Sequence, residues 1–249
     1  MKRLHLLAAA AAIFASAACN AEQAGGNAAG PVNITPIKAP NNGDWSQIVS
    51  ETPAGGFVMG NPDAPVKLIE YGSMTCPHCR EFDEAGLQPL TDNYVKSGQV
   101  SFEFRNYVRD PYDLAASLVA RCNGAKSFFP LTRALFKEQP QWFEKLQAVA
   151  PEQQQALAQL GPKQQFLEVA KLAGFQQWAA MRGVPTAKST ACLSNEAEVN
   201  RLVQMNSDAT TQFPEFKGTP TFVLNGTLVD GSSWNVVEPA LRKAVGELG

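Results

Sequence analysis

Hydrophobic and polar positions divide the chain into a β-rich beginning, a long helical block and a β-rich end. Residues 66–71 form a short apolar run between turn formers, and residues 100–107 alternate apolar with polar side chains, so both are predicted strands. A helix is predicted to begin around residues 79–80, because apolar residues then recur at helical spacing, and Gly98 follows where a C-cap is expected. This order predicts two parallel strands joined by a right-handed crossover.

The block at residues 113–211 shows helical periodicity without a strand signal, and prolines separate or start its segments. The predicted helices cover residues 114–122, 128–138, 151–160, 163–172, 176–181 and 196–209. Strand character returns at residues 221–224 and 227–229. Asn225-Gly226 joins them as a strong hairpin signal, and a last helix is predicted over residues 235–247. Folding both β parts into one sheet, with helices on both faces, gives an α/β thioredoxin fold with a large helical insertion.

The N-terminus has the pattern of an export signal. Lys2 and Arg3 precede an apolar run at residues 4–14, and small residues follow, which predicts a signal peptide over residues 1–18. The alternative is a transmembrane helix, but that needs about 20 apolar residues. We therefore expect the folded part to be exported, to the periplasm.

Cys19 follows the predicted signal directly. The Ser-Ala-Ala-Cys sequence at residues 16–19 resembles a bacterial lipoprotein processing box, in which the cysteine is lipidated, although Ser16 stands where Leu or Val is usual. Cleavage by an ordinary signal peptidase would instead leave Cys19 as a stray thiol. Residues 19–43 are rich in Gly, Ala, Asn and Pro, so a flexible tether is expected before a domain at residues 44–249.

Composition and charge narrow the possible partners. The 249 residues are 45% hydrophobic and 18% charged, as in a globular protein, and the formal net charge is −2. Lys and Arg are not concentrated in any stretch, so no nucleic-acid partner is expected, because phosphate binding needs a basic face.

The sequence Cys76-Pro77-His78-Cys79 lies between a predicted strand and a predicted helix. Unpaired N–H groups and the helix dipole stabilise a thiolate at a helix N-terminus, so we expect Cys76 to have a lowered pKa and Cys79 to resolve it. Pro77 suits the first turn of a helix, and His78 adds a donor beside the sulfur. The prediction is a redox-active dithiol that needs no cofactor.

The tetrapeptide also allows two other interpretations, a structural disulfide or half of a zinc site. A structural disulfide with this spacing would be strained and easily reduced. A zinc site needs four ligands, or three and a water, and the only other histidine, His5, lies in the predicted signal.

Cys122 and Cys192 are the remaining cysteines, one near the end of the first helix of the block and one in a predicted loop after Lys188. If Cys76 pairs with Cys79, these two can pair only with each other. A structural bridge of this loop size stabilises by about 4 kcal/mol in the entropic description. Two free buried thiols, or a redox role, are the alternatives.

Residues 68–79, Leu-Ile-Glu-Tyr-Gly-Ser-Met-Thr-Cys-Pro-His-Cys, resemble the active-site strand and turn of the DsbA-like periplasmic dithiol oxidases of the thioredoxin superfamily. The resemblance implies that Glu70 is a proton-relay carboxylate beneath the cysteines, whereas the strand pattern alone also allows a charge that faces solvent. The sequence at residues 218–222, Gly-Thr-Pro-Thr-Phe, is similar to the family's cis-proline loop. It implies that Thr219 and Pro220 hold an extended substrate. Some DsbA-like proteins have an additional bridge, which supports the Cys122–Cys192 pair.

The resemblance implies an enzyme that donates its Cys76–Cys79 disulfide to reduced, unfolded exported proteins. A quinone-linked oxidase of the inner membrane would then re-form the disulfide. One alternative is a reductase or isomerase of the same fold, since Thr before the proline is commoner among isomerases. Another is a thioredoxin-like chaperone in which the cysteines are incidental.

Overall fold

The structure is a computed structural model that describes residues 33–246. The predicted signal peptide and the lipidation candidate Cys19 lie outside the described residues. Within this part of the chain, no helix combines the length and the apolar character that a bilayer crossing requires. The end of the expected tether contacts the domain, because the Trp45 indole donates to the Ile37 carbonyl at 2.8 Å and the Ile37 N–H donates to the Ser97 carbonyl at 2.7 Å.

One mixed sheet organises the described residues. Its strands are β1 (Val49–Glu51), β2 (Phe57–Gly60), β3 (Val66–Gly72), β4 (Val100–Asn106), β5 (Thr221–Leu224) and β6 (Thr227–Leu228), and their order in space is β1-β2-β4-β3-β5-β6. The β3–β4 pair is parallel, as predicted, and the other described pairs are antiparallel. The predicted hairpin is also present, with positive φ at Asn225 and Gly226.

The helices account for most of the remaining described chain. They are α1 (Pro77–Phe82), α2 (Pro111–Arg121), α3 (Ala125–Lys137), α4 (Gln139–Gln147), α5 (Pro151–Ala158), α6 (Pro162–Ala173), α7 (Phe175–Ala180), α8 (Thr186–Leu193), α9 (Glu196–Gln212) and α10 (Trp234–Ala244). Two π-helical segments, Asp83–Leu87 and Leu90–Val95, extend α1 toward β4. Helices α2–α9 form the predicted insertion. The thioredoxin fold with a large helical insertion is therefore confirmed.

Several predicted boundaries differ from the structure. Strands β1 and β2 were not predicted, because each is short and β2 is defined by its pairing with β4. Before β1 lies a 3-10 turn, Trp45–Gln47, in which the Ser46 N–H donates to the Asp44 carboxylate. Helix α1 begins at Pro77, two residues before the predicted start, because Cys76 is already its N-cap.

The insertion also holds two helices that the periodicity missed. Pro140 was interpreted as a separator, yet it lies in the first turn of α4, where its missing N–H costs nothing. Pro130 is likewise inside α3 rather than at a boundary. The prediction that Cys192 lies in a loop is wrong, since it lies in α8, a helix that buries only Ser189 and Leu193 and so has a weak apolar pattern.

Strand alternation decides which side chains of β3 face the active-site helix. Tyr71 lies on one face of the sheet and packs edge-on against Phe213, which follows α9. Leu68 and Glu70 lie on the opposite face, where the main core is. On this face Phe82 of α1 packs against Phe222 of β5, with ring centroids 4.3 Å apart. Glu70 is therefore directed into the core beneath α1.

Candidate active site

The two cysteines of the tetrapeptide lie where β3 passes into α1. Cys76 has extended backbone angles and is the N-cap of α1, and Pro77 occupies the first helical position. Both Cys76 and Cys79 are free thiols in the structure, 2% and 0% exposed respectively. Cys76 is thus the more accessible sulfur, and Cys79 is covered.

Hydrogen bonds lower the pKa of the Cys76 thiol from its ordinary value of 9.0 to about 5. The Cys79 side chain is the largest cause, the Thr219 side chain is the next favourable one, and the backbone N–H groups of Cys79 and His78 add to them, while burial acts in the opposite direction. N–H groups that point at an anion are what the start of a helix offers. At neutral pH Cys76 is therefore a thiolate.

The pKa of the Cys79 thiol is shifted in the opposite direction. Burial raises the pKa of its thiol well above 9.0, and its hydrogen bond to Cys76 and the nearby Glu70 carboxyl raise it further. The Ser73 N–H donates to the Cys79 sulfur at 3.4 Å, which partly offsets this. The pair therefore consists of one ionised and one protonated sulfur.

Glu70 is buried, with 3% of its surface exposed, so it does not face solvent as the strand pattern had allowed. Burial raises the pKa of its carboxyl well above 4.5, and Asp83 and Cys76 raise it further. Its Oε1 atom has no hydrogen-bond partner among the described residues. Burial thus favours the neutral acid form of Glu70, which is held near the cysteines.

Sequence reasoning missed Asp83, which lines a cavity of about 10 Å³ together with Glu70, Thr132 and Arg133. Burial raises the pKa of the Asp83 carboxyl to about 6, although Arg133, 3.7 Å away, lowers it. The signal available in the sequence was its spacing, because Asp83 lies one helical turn after Cys79 on the same helix. A second carboxyl group with a raised pKa therefore lines the same cavity as Glu70.

The His78 ring is exposed and pairs with Glu81. Its Nδ1 lies 2.9 Å from a carboxylate oxygen of Glu81, and the side chain is 69% exposed. The pKa of His78 is raised by Glu81 through this hydrogen bond and through its charge, and the charge of Cys76 adds a smaller contribution. The backbone N–H of His78, rather than its ring, is what stabilises the Cys76 sulfur.

The loop before β5 faces the nucleophile. The Thr219–Pro220 peptide bond is cis, and the Thr219 carbonyl oxygen lies 3.1 Å from the Cys76 sulfur. The Thr219 hydroxyl is buried in the same loop, and its side chain is one of the causes of the lowered pKa of Cys76. Beside Pro220 opens a groove of about 420 Å³, whose lining includes Lys217, Leu228 and Asp230. The groove thus adjoins the cis-proline, and the residue before that proline contacts the reactive sulfur.

Cys122 and Cys192 form a disulfide with an S–S distance of 2.02 Å and Cα atoms 5.6 Å apart. Cys122 is the C-cap of α2, and Cys192 is in the last turn of α8. The bond therefore joins two helices of the insertion.

Comparison with known proteins supports this description. The sequence pattern of a family described as Thioredoxin matches residues 52–243. A protein-disulfide isomerase of Novosphingobium aromaticivorans, of known crystal structure, is 31% identical, with a TM-score of 0.72, over 76% of this chain and 96% of that one. The α-DsbA1 structure of Wolbachia pipientis has a TM-score of 0.63 over 82% of this chain and 96% of that one, and at 19% identity it shows a shared fold alone.

A curated Rickettsia bellii protein that carries the provisional name protein-disulfide oxidoreductase is 28% identical over 77% of this chain. The match spans 65% of that relative, and 61% of its counterpart in Rickettsia prowazekii. This chain thus spans somewhat less than two thirds of the length of these curated relatives.

Proposed function

The chain is a DsbA-like member of the thioredoxin superfamily, and from this we propose that it is a thiol–disulfide oxidoreductase that donates a Cys76–Cys79 disulfide to reduced proteins. The observation that carries the proposal is the Cys76 thiol at the start of α1, with its pKa of about 5. A stabilised thiolate favours the reduced form of the pair, which makes the corresponding disulfide a stronger oxidant.

The reaction follows from the unequal sulfurs. A substrate thiolate attacks the Cys76 sulfur of the disulfide, and Cys79 leaves as a thiolate. Neutral Glu70 is the nearby acid that can protonate this thiolate, which is otherwise strongly disfavoured by burial. A second substrate thiolate then attacks the substrate sulfur of the mixed disulfide, and Cys76 leaves as the stabilised thiolate. Two electrons pass from the substrate dithiol to the enzyme.

Thr219 and Pro220 would hold the substrate during these steps. In the thiolate and in the mixed disulfide, the Cys76 sulfur has no proton to donate to the Thr219 carbonyl. That oxygen is then free to accept an N–H from an extended substrate backbone, and the groove beside Pro220 can receive the following residues.

The place of action and the reoxidising partner are also part of the proposal. The N-terminal sequence supports export to the periplasm, with a lipid anchor at Cys19 if the processing box is used. Reduced, unfolded proteins that arrive there are the proposed substrates. A quinone-linked oxidase of the membrane is the proposed partner, by analogy with the family, because the reduced pair must lose two electrons before the next turnover.

A second candidate function is disulfide isomerisation. It is favoured by the relative described as a protein-disulfide isomerase and by the threonine that precedes Pro220. An isomerase begins from the reduced pair, with the Cys76 thiolate attacking a wrong substrate disulfide, so the same site would serve.

Measuring the reduction potential and the direction of exchange separates the two functions. We expect a potential near −120 mV, about the value of a strong oxidant, and rapid oxidation of a reduced unfolded protein that contains one cysteine pair. A value of about −180 mV, with faster recovery of a scrambled multi-disulfide protein, would favour the isomerase, and about −270 mV would refute the oxidase. The Cys76→Ser variant is the control in both assays, because a chaperone with incidental cysteines would keep its activity.

A further inference from the structure

The loop that carries Cys76 is held by the helical insertion. Residues 73–76 connect β3 to α1, and three polar side chains from the start of α2 and α4 reach its backbone or hydroxyl groups. They are Asp110, Asp113 and Gln139. None of them was a candidate from the sequence.

Asp113 makes two of these contacts to the loop and has further donors around it. Its carboxylate accepts hydrogen bonds from the Met74 N–H at 2.8 Å, the Ser73 hydroxyl at 2.5 Å and the Arg109 N–H at 3.0 Å. It also lies 3.4 Å from the Ser117 hydroxyl. The residue is 0% exposed. A buried carboxyl group with so many donors directed at it is satisfied by the fold rather than by water.

Gln139, at the start of α4, binds carbonyl groups of the same loop. Its side-chain amide donates to the Met74 carbonyl at 2.7 Å and to the Cys76 carbonyl at 3.0 Å. Met74 is thus fixed at its N–H by Asp113 and at its carbonyl by Gln139. Two helices of the insertion therefore set the position of the residues on either side of Thr75.

We propose that Asp113 and Gln139 are positioning residues for the redox pair, so that the helical insertion sets how strongly the Cys76 thiolate is stabilised. This inference deepens the proposed function and rests on it. The insertion is then part of the redox site, in addition to being a cover over the sheet.

The physical link is the N-cap position of Cys76. Its sulfur is stabilised by N–H groups of His78 and Cys79 only while the backbone of Cys76 keeps the non-helical angles that aim its side chain back at the helix start. A loop released at Met74 would sample other angles, and the thiolate would lose part of this stabilisation. Ser73 adds a second link, because its hydroxyl is bound by Asp113 while its N–H contacts the Cys79 sulfur.

The charges that face Asp113 are few. Asp110, at the N-cap of the same helix, is the nearby acidic group. Arg121 is linked to Asp113 only through the side chains of Asn106 and Ser117. Burial raises the pKa of Asp113 to about 7. The Ser73 hydroxyl lies 3.3 Å from the Thr75 hydroxyl, so it can turn to donate there when Asp113 is protonated.

The test compares Asp113→Asn and Gln139→Met with the wild-type chain. Both variants remove hydrogen bonds to the loop and keep the side chains close to their original size. We expect the pKa of Cys76, followed by thiolate absorbance, to rise, and the equilibrium constant with glutathione to shift about fivefold toward a weaker oxidant. Titration of Asp113 should change the reactivity of Cys76 near pH 7 in the wild-type chain. This change should be absent in Asp113→Asn, which has no carboxyl group at that position.

The matched control is Val169→Ala, which shortens a fully buried side chain of α6, a helix that contacts α2. It should lower thermal stability without moving the glutathione equilibrium. A purely structural role for Asp113 destabilises the oxidised and reduced forms equally, and therefore also leaves this equilibrium unchanged.

The glutathione equilibrium and the pKa of Cys76 decide between a positioning role and a purely structural role. The proposal is overturned if folded Asp113→Asn and Gln139→Met keep the wild-type equilibrium constant and Cys76 pKa, or if Val169→Ala shifts them equally. Should Asp113→Asn fail to fold, Ser73→Ala takes its place beside Gln139→Met, and unchanged values in both refute the idea. The wild-type potential tests the oxidase function separately, since these comparisons hold for either direction of exchange.

Discussion

The chain contains two cysteine pairs at opposite ends of helices. Cys76 precedes the first turn of α1, with Cys79 three residues later, and both are thiols. Cys122 caps the C-terminal end of α2, Cys192 lies in the last turn of α8, and the two are joined. Cysteine side chains of the first pair thus lie at the N–H groups that begin α1. Those of the second pair lie at the carbonyl ends of α2 and α8.

The two ends of a helix have opposite effects on the reactivity of a cysteine. The start of a helix carries partial positive charge and unpaired donors, which stabilise a thiolate, whereas the end carries partial negative charge, which does not. Disulfide exchange needs a thiolate as attacking or leaving group. The pair at α1 is therefore suited to exchange, and the pair in the insertion to holding two helices together.

The largest expected effect comes from removing one pair at a time. Cys76→Ser should lower the rate of disulfide exchange by about 10³-fold or more, since no other reactive thiol is placed at the site. The Cys122→Ser/Cys192→Ser variant should keep exchange activity but lose about 2–5 kcal/mol of stability. Kinetics with a reduced peptide and guanidinium unfolding measure the two effects. Loss of exchange in the second variant while it remains folded would contradict the comparison.

The next effect is the dependence on pH. Because the pKa of Cys76 is lowered in the folded protein, its ionisation stabilises the reduced form fully above pH 9, and this stabilisation is lost as the pH falls through about 5. At pH 7 the ionisation of Cys76 should therefore contribute about 1–2 kcal/mol to the stability of the reduced form, after a discount for solvent screening. Urea unfolding of both forms between pH 4 and 8 measures this, and a difference that is constant with pH would be the contrary result.

A smaller effect is expected at Glu70. Since burial raises the pKa of its carboxyl, the wild-type protein loses stability as the pH rises above 4.5, and Glu70→Gln does not share this loss. Relative to the wild-type protein, the variant should gain about 1–3 kcal/mol between pH 4 and 8, similar to the desolvation cost of a buried group. Exchange should be slower, because Cys79 lacks its nearby acid. Parallel pH dependences of unfolding for both proteins would rule out a buried neutral carboxyl.

Much of this site was readable from the sequence. The two-residue spacing of Cys76 and Cys79 at a strand-to-helix junction depends only on neighbouring residues, as does the proline of the Thr219–Pro220 loop. Strands β3, β4 and β5 and the parallel pairing followed from short-range patterns. Glu70 was a candidate because residues 68–79 resemble the active-site strand and turn of the DsbA-like family.

Tertiary structure decided what those residues experience. The burial of Glu70 depends on α1 and α3 covering β3, and the cavity it shares with Asp83 and Thr132 exists only when α1 and α3 meet. Asp113 and Gln139 reach residues 73–76 from about 40 and 65 residues further along the chain, so no local pattern marks them. Local spacing determined which sulfurs can react, and long-range packing decided their protonation, because solvent exclusion and converging hydrogen bonds are properties of the assembled fold.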